Sequence, residues 1–198
     1  VLTHPQYLLF SVVLIAAWFC FEGIEGLVTF YMSNELGASP TTIGIYGSLK
    51  GLGILAGGVS LAALVHRGGR RIGAVLTLSL VTAGGLAFSV LESTTAILIV
   101  APLWGLAVGF HWTNYVTITM GITDLRIAGS MFAILQTMSN IGLGAGEGVS
   151  TALTDNVGFS TLFRSFALLN LLVIPLVVGS LAWFDRSKAE DLDAVLAT

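Results

Sequence analysis

Apolar residues fall in six long stretches: Tyr7–Met32, Thr41–Val65, Ile72–Leu91, Ala96–Met120, Ala128–Leu153 and Phe163–Phe184. Each is long enough for a helix that crosses a bilayer, which takes roughly 20 residues. Barrel strands would be nearer about 10 residues and would alternate polar with apolar, and these stretches do not alternate. Backbone groups in hydrocarbon must be satisfied within their own segment, so helices are expected. The pattern predicts an all-α membrane protein with six transmembrane helices, near residues 7–32, 41–65, 72–91, 96–120, 128–153 and 163–184, and a tail over 185–198.

The connections carry helix punctuation. In Gly37-Ala38-Ser39-Pro40-Thr41, glycine ends one helix, Ser39 caps the next and Pro40 takes its first position. Glu92-Ser93-Thr94-Thr95 and Asp155-Asn156-Val157-Gly158 do similar work. Tyr7, Tyr31 and Trp183 stand near span ends, where interfacial aromatics concentrate. The basic residues Arg67, Arg70, Arg71, Arg126, Arg186 and Lys188 all fall on one side of six consecutive spans. By the positive-inside rule that side is cytoplasmic, as are both termini. The expected location is the plasma (inner) membrane.

Composition agrees with the pattern. The chain is 55% hydrophobic and only 10% charged, against about 25% charge in soluble domains. The net charge of −3 is dominated by Glu190, Asp191 and Asp193, and no basic patch suggests nucleic acid. Cys20 is the only cysteine, which excludes internal disulfides and CxxC metal sites. No metal site, P-loop or cofactor motif is visible, and no catalytic constellation, so an enzyme is not expected. The chain starts at Val1 without an initiator methionine, and its first apolar stretch is too long for a signal peptide. A fragment or a processed chain is expected.

Ionisable groups inside the spans are where chemistry is to be sought, because a charge in hydrocarbon costs on the order of 3 kcal/mol or more. Glu22 and Glu25 are three apart and share a helix face. Lys50 on the returning helix lies at nearly the same depth and can pair with either, which lowers the cost of burying both charges. Burial and the lysine act on carboxyl protonation in opposite senses, so protonation can depend on conformation. His111, Asn114 and Tyr115, at i, i+3 and i+4, make one polar stripe that can line a solute path or join helices. Gln136, Asn140 and Glu147 lie close to one face of the fifth span, and Glu147 interrupts its glycine run. Gly53-x3-Gly57, Gly105-x3-Gly109 and Gly142-x3-Gly146 repeat the spacing that lets helix backbones approach closely.

The loop Ala62-Ala63-Leu64-Val65-His66-Arg67-Gly68-Gly69-Arg70-Arg71 resembles the signature G-x-L-x-D-R-x-G-R-R of the major facilitator superfamily, with Ala62 for its Gly and His66 for its Asp. The linker Leu36–Gly44 is similar to the loop after the first helix of either half of such a protein. The resemblance covers essentially the whole chain and implies one half of that fold. The lost Asp and the absence of an arginine from span four make it most like the C-terminal half. Gly142–Phe163 also looks like part of AmpG-type muropeptide permeases and acetyl-CoA transporters.

The resemblance implies a secondary active transporter, proton-coupled through its acidic groups, moving a small organic solute by alternating access. Glu22, Glu25, Lys50, His111, Asn114, Tyr115, Gln136, Asn140 and Glu147 are the candidates for solute binding or proton coupling. His66, Arg67, Arg70 and Arg71 form a candidate gating loop, whose arginines can meet cytoplasmic carboxylates or helix C-termini in one state and release them in another. The implied partners are the lipid bilayer, the solute, and a missing six-helix half or a second copy. The alternative is a non-transporting membrane scaffold or assembly factor on the same fold.

Overall fold

A computed structural model describes residues 5–123 and 125–196, and these residues are almost entirely helical. The helices are α1 (Pro5–Asn34), α2 (Pro40–His66), α3 (Gly68–Phe88), α4 (Thr94–Ile122), α5 (Ala128–Val157) and α6 (Phe159–Leu196). A 3-10 turn, Leu125–Ile127, leads into α5. Ser39 and Ser93 cap α2 and α4, their hydroxyls accepting from the backbone N–H of Thr42 and Ala96, each at 3.2 Å. Nothing after residue 184 breaks a helix, and α6 runs on to Leu196 through the segment expected as a tail.

Five of these helices are long and apolar enough to cross a membrane. The other, α5, has the length, at 30 residues, but glycine, hydroxyl and amide side chains dilute it. Its buried positions, Met131, Leu135, Ser139, Gly142, Gly146, Ser150 and Thr154, form a single stripe three or four residues apart. It therefore presses one face against the bundle and leaves the rest uncovered.

The expected loop between α2 and α3 is scarcely a loop. Helical geometry continues through it and breaks only at Gly69, with φ 80° and ψ 167°, a region that is essentially glycine's alone. Gly158, with φ 76° and ψ 156°, makes the same break between α5 and α6.

The matching breaks belong to an internal repeat. On α2, Gly53 and Gly57 bring the backbone against the carbonyls of Pro102 and Leu106 in α4. On α5, Gly142 and Gly146 do the same against the carbonyls of Ile15 and Phe19 in α1. The glycine pairs Gly53/Gly142, Gly57/Gly146 and Gly69/Gly158 are each 89 residues apart. Helices α1–α3 and α4–α6 thus repeat one three-helix arrangement, and an odd number of antiparallel helices per copy makes the two run in opposite directions.

Association in lipid rests on close packing and a few polar ties rather than on hydrophobic burial. Phe21, Phe88, Trp104 and Phe163 are enclosed in one core. Asn170 on α6 donates to the Leu78 carbonyl at 2.8 Å and to Thr82 Oγ1 at 2.9 Å, tying α6 to α3. Leu52, Leu55, Val59, Ile99, Leu103 and Leu172 are exposed, as an apolar exterior in lipid requires.

Candidate functional site

Helix periodicity places Glu22 and Glu25 on the inward side of α1, and the bundle gives them different neighbours. Glu25 forms an ion pair with Lys50 of α2 through one carboxylate oxygen, and the indole N–H of Trp104 on α4 donates to the other. The carboxylate and the ammonium are 18% and 20% exposed. A half-wet, fully bonded pair of this kind avoids much of the desolvation cost of burying lone charges. The ammonium also lies 5.4 Å from the ring centre of Tyr46, within cation–π range.

Glu22 has no such neutralising partner. It sits one turn before Glu25 on α1 and shares the surroundings of Gly26 with Glu147 of α5. A side chain at residue 26 would lie 3.4 Å from Glu147 Cγ and 3.9 Å from Glu22 Oε1. Among the described residues, neither Glu22 nor Glu147 has an ion-pair partner. Glu147 is exposed on the uncovered side of α5 and Glu22 is partly exposed. Glu22 therefore has Glu147 on one side and, on the other, the Glu25 carboxylate that holds Lys50.

The α4 stripe divides. The Tyr115 hydroxyl and Gln136 Oε1 on α5 are 3.1 Å apart, and Gln136 Nε2 donates to Asn140 Oδ1 at 3.2 Å. These three residues form a polar string from α4 to the open side of α5. His111 and Asn114 turn into the bundle and are buried, and the Tyr115 side chain is buried beside them even though its hydroxyl reaches Gln136. The His111 ring stacks on Phe21 at 4.1 Å with an interplanar angle of 4°, and meets the edge of Trp18 at 4.7 Å. They do not share the surface that carries Glu22 and Glu147.

At the other end of α3, Arg70 and Arg71 both donate to Asp185 near the end of the α6 span, at 2.6 and 2.7 Å. The Arg70 guanidinium also lies under Gly121 at the end of α4. The signature loop thus clamps the ends of α3, α4 and α6 together. His66 is exposed, and the side chain of Arg67 lies outside the described residues.

Two participants were absent from the sequence-based candidates. Trp104 is seven residues before His111 on the same α4 stripe, so its place on the inner face was legible even though its bond to Glu25 was not. Asp185 stands beside Arg186 at the start of a segment read only for its overall charge, while the signature arginines called for a carboxylate.

Residues 9–194 match the family model of the Major Facilitator Superfamily. No curated protein matches the chain. The match spans nearly all of a helical bundle whose spans, signature loop and inward-facing charges accord with it, and the chain belongs to the major facilitator superfamily of transporters as an integral membrane protein.

Proposed function

We propose that this chain is one six-helix half of a proton-coupled secondary transporter, which moves a small organic solute by rocking against a second six-helix unit. The observation that carries the reading is the division of labour among the carboxylates. Glu25 is committed to Lys50 and Trp104, whereas Glu22 and Glu147 both lie beside Gly26 with no ion-pair partner among the described residues. Two neighbouring carboxylates resist being charged together, so one of them is suited to carry a proton that leaves when the other acquires a partner. The Tyr115–Gln136–Asn140 string supplies neutral donors and acceptors for a polar solute on the same open side.

The faces that would receive the second unit, a missing half or another copy, are those of α2 and α5. Side chains added at Gly44, Gly47 and Gly51 on α2, or at Gly144 and Gly148 on α5, would meet nothing within 4 Å. Small residues along both helices suit close helix contact across such an interface. The basic end bearing Arg70, Arg71 and Asp185 is assigned to the cytoplasm and the membrane to the plasma (inner) membrane, in accord with the positive-inside rule.

The test is solute uptake by the complete transporter in proteoliposomes under imposed pH gradients. Glu22→Gln or Glu147→Gln is expected to abolish pH-driven accumulation while leaving solute exchange intact. Retention of full pH dependence by both variants would overturn proton coupling through this pair. Absence of uptake above background in the unaltered protein, across a broad solute panel, would overturn transport itself.

A further inference from the structure

Taking the chain as one half of a transporter, we propose that Trp112 determines solute specificity and selects a solute that carries a flat ring. Trp112 stands in the middle of α4, 10 residues before its end at Ile122, or roughly 15 Å at the helical rise. That depth is remote from the headgroup level where membrane tryptophans concentrate. It is nonetheless 42% exposed, whereas Trp18 and Trp104 are 1% exposed.

Successive residues of a helix turn by about 100°, so the neighbours of Trp112 fix its direction. His111 on one side stacks on Phe21 of α1, and Thr113 on the other has its hydroxyl against Gly58 of α2. Trp112 therefore points between α1 and α2, into the opening that the Glu25–Lys50 pair bridges. Leu103, on the apolar exterior of α4, is nine residues earlier, about two and a half turns, and so lies on the opposite face. The repeat leads to the same place. Pro102 and Leu106 take the seam positions on α4 that Ile15 and Phe19 take on α1, each pair 87 residues apart. Trp112 is likewise 87 residues after Glu25, so the second repeat offers an indole where the first offers a carboxylate.

The surroundings define what such a ring can hold. Trp18 of α1 meets Trp112 at 4.7 Å with an interplanar angle of 72°, an edge contact that holds the indole in place. One turn along α1 from Trp18 stands Glu22, and one turn along α4 from Trp112 stands Tyr115, with Gln136 and Asn140 beyond it. The exposed indole thus separates the carboxylates from the amide string, and a solute that reaches both lays its middle on the ring. A flat aromatic or glycosyl ring buries apolar area there against a rigid surface, whereas an open chain gives up rotamer freedom to do the same.

The experiment has two arms, both on the complete transporter. In lipid nanodiscs, fluorotryptophan is incorporated and the Trp112 signal in the fluorine NMR spectrum is identified by its loss in Trp112→Phe. A small water-soluble nitroxide is expected to broaden that signal, and broadening by a nitroxide-bearing lipid alone overturns the proposal whether or not anything is transported. In proteoliposomes, uptake is measured for ring and open-chain probes in matched pairs, methyl glucoside with sorbitol and phenylalanine with norleucine. The ring member of one pair is expected to be preferred, which separates a glycosyl from an aromatic solute. Trp112→Ala is then expected to raise its KM about tenfold with kcat nearly unchanged, and Trp112→Phe to restore it. Uptake that does not favour a ring in either pair overturns the proposal, as does a folded Trp112→Ala transporter with an unchanged KM. These readouts are separate from the pH-driven accumulation that tests Glu22 and Glu147, so either reading can fail alone.

Discussion

The α2–α4 seam and the α1–α5 seam occupy corresponding places in the two repeats, but they are closed to different degrees. Glycines face each other across α2 and α4: Gly53 and Gly57 lie against α4, and Gly105 and Gly109 lie against the carbonyls of Lys50 and Ile54. Across α1 and α5 the closest approach is made by Gly142 and Gly146 of α5 against Ile15, Trp18, Phe19 and the Gly23 backbone of α1, while Gly26 of α1 meets only the Glu147 side chain. A further contact is exchanged between the seams. Gly58 on α2 faces Thr113 Oγ1, whereas Glu147, at the corresponding position of α5, faces Gly26. The first seam excludes everything but backbone, and the second leaves room beside the backbone for carboxylates. One architecture, repeated, thus supplies a stiff edge and an edge that holds charge.

Steric substitution tests that contrast most severely. Gly105→Leu would drive a side chain into the Lys50 carbonyl of a seam with no slack, at a cost expected to exceed about 3 kcal/mol. Loss of monodisperse, cooperatively unfolding protein in detergent is the expected readout. Gly142→Leu should be milder because α5 is held chiefly by α1 and can retreat from it. Gly51→Leu and Gly144→Leu, which point into open space, should unfold like the unaltered chain. Equal damage at all four positions would erase the distinction between the seams.

Charge substitution comes next. Glu25→Gln strands the Lys50 ammonium and is expected to cost about 2 kcal/mol, reduced from the fully buried case because both groups are about one-fifth exposed. Glu22→Gln, with no cation to strand, should stay within about 0.5 kcal/mol. Thermal unfolding compares the two, and Glu25→Gln combined with Lys50→Met should recover most of the loss. Equal shifts for the two glutamine variants would mean that the pair adds nothing.

The breaks at Gly69 and Gly158 provide a finer test of the repeat. Alanine at either must adopt a backbone conformation that L-residues avoid, at a cost of about 1–3 kcal/mol. Similar losses at the two sites would show that the turns are mechanical equivalents, and chemical denaturation of the single variants measures this. A modest effect is expected at the clamp of Arg70, Arg71 and Asp185. Asp185→Asn removes a partly exposed carboxylate from two arginines and should cost about 1 kcal/mol or less, diminishing with added salt. Faster amide exchange in the last turns of the α6 span, with α3–α4 contacts unchanged, would locate the effect.

The number of helices, the capping serines and the close-packing glycines are local properties, written in hydrophobic runs and short spacings, and the sequence alone determined them. It also placed Glu22, Glu25 and Lys50 at one depth, because helical rise converts residue number into distance. It did not decide which glutamate takes the lysine, since both lie within reach from adjacent helices. That choice depends on where α4 brings Trp104. Likewise, His111, Asn114 and Tyr115 look like one stripe in sequence and all three are buried, yet it is the Tyr115 hydroxyl that finds a partner on α5, because the neighbouring helices approach α4 from different sides. The repeat itself was hidden because backbone contact demands only a small residue at a few positions and leaves the other side chains free to diverge. Tertiary structure alone could assign these partners, for they come from helices distant in sequence whose relative placement no local pattern encodes.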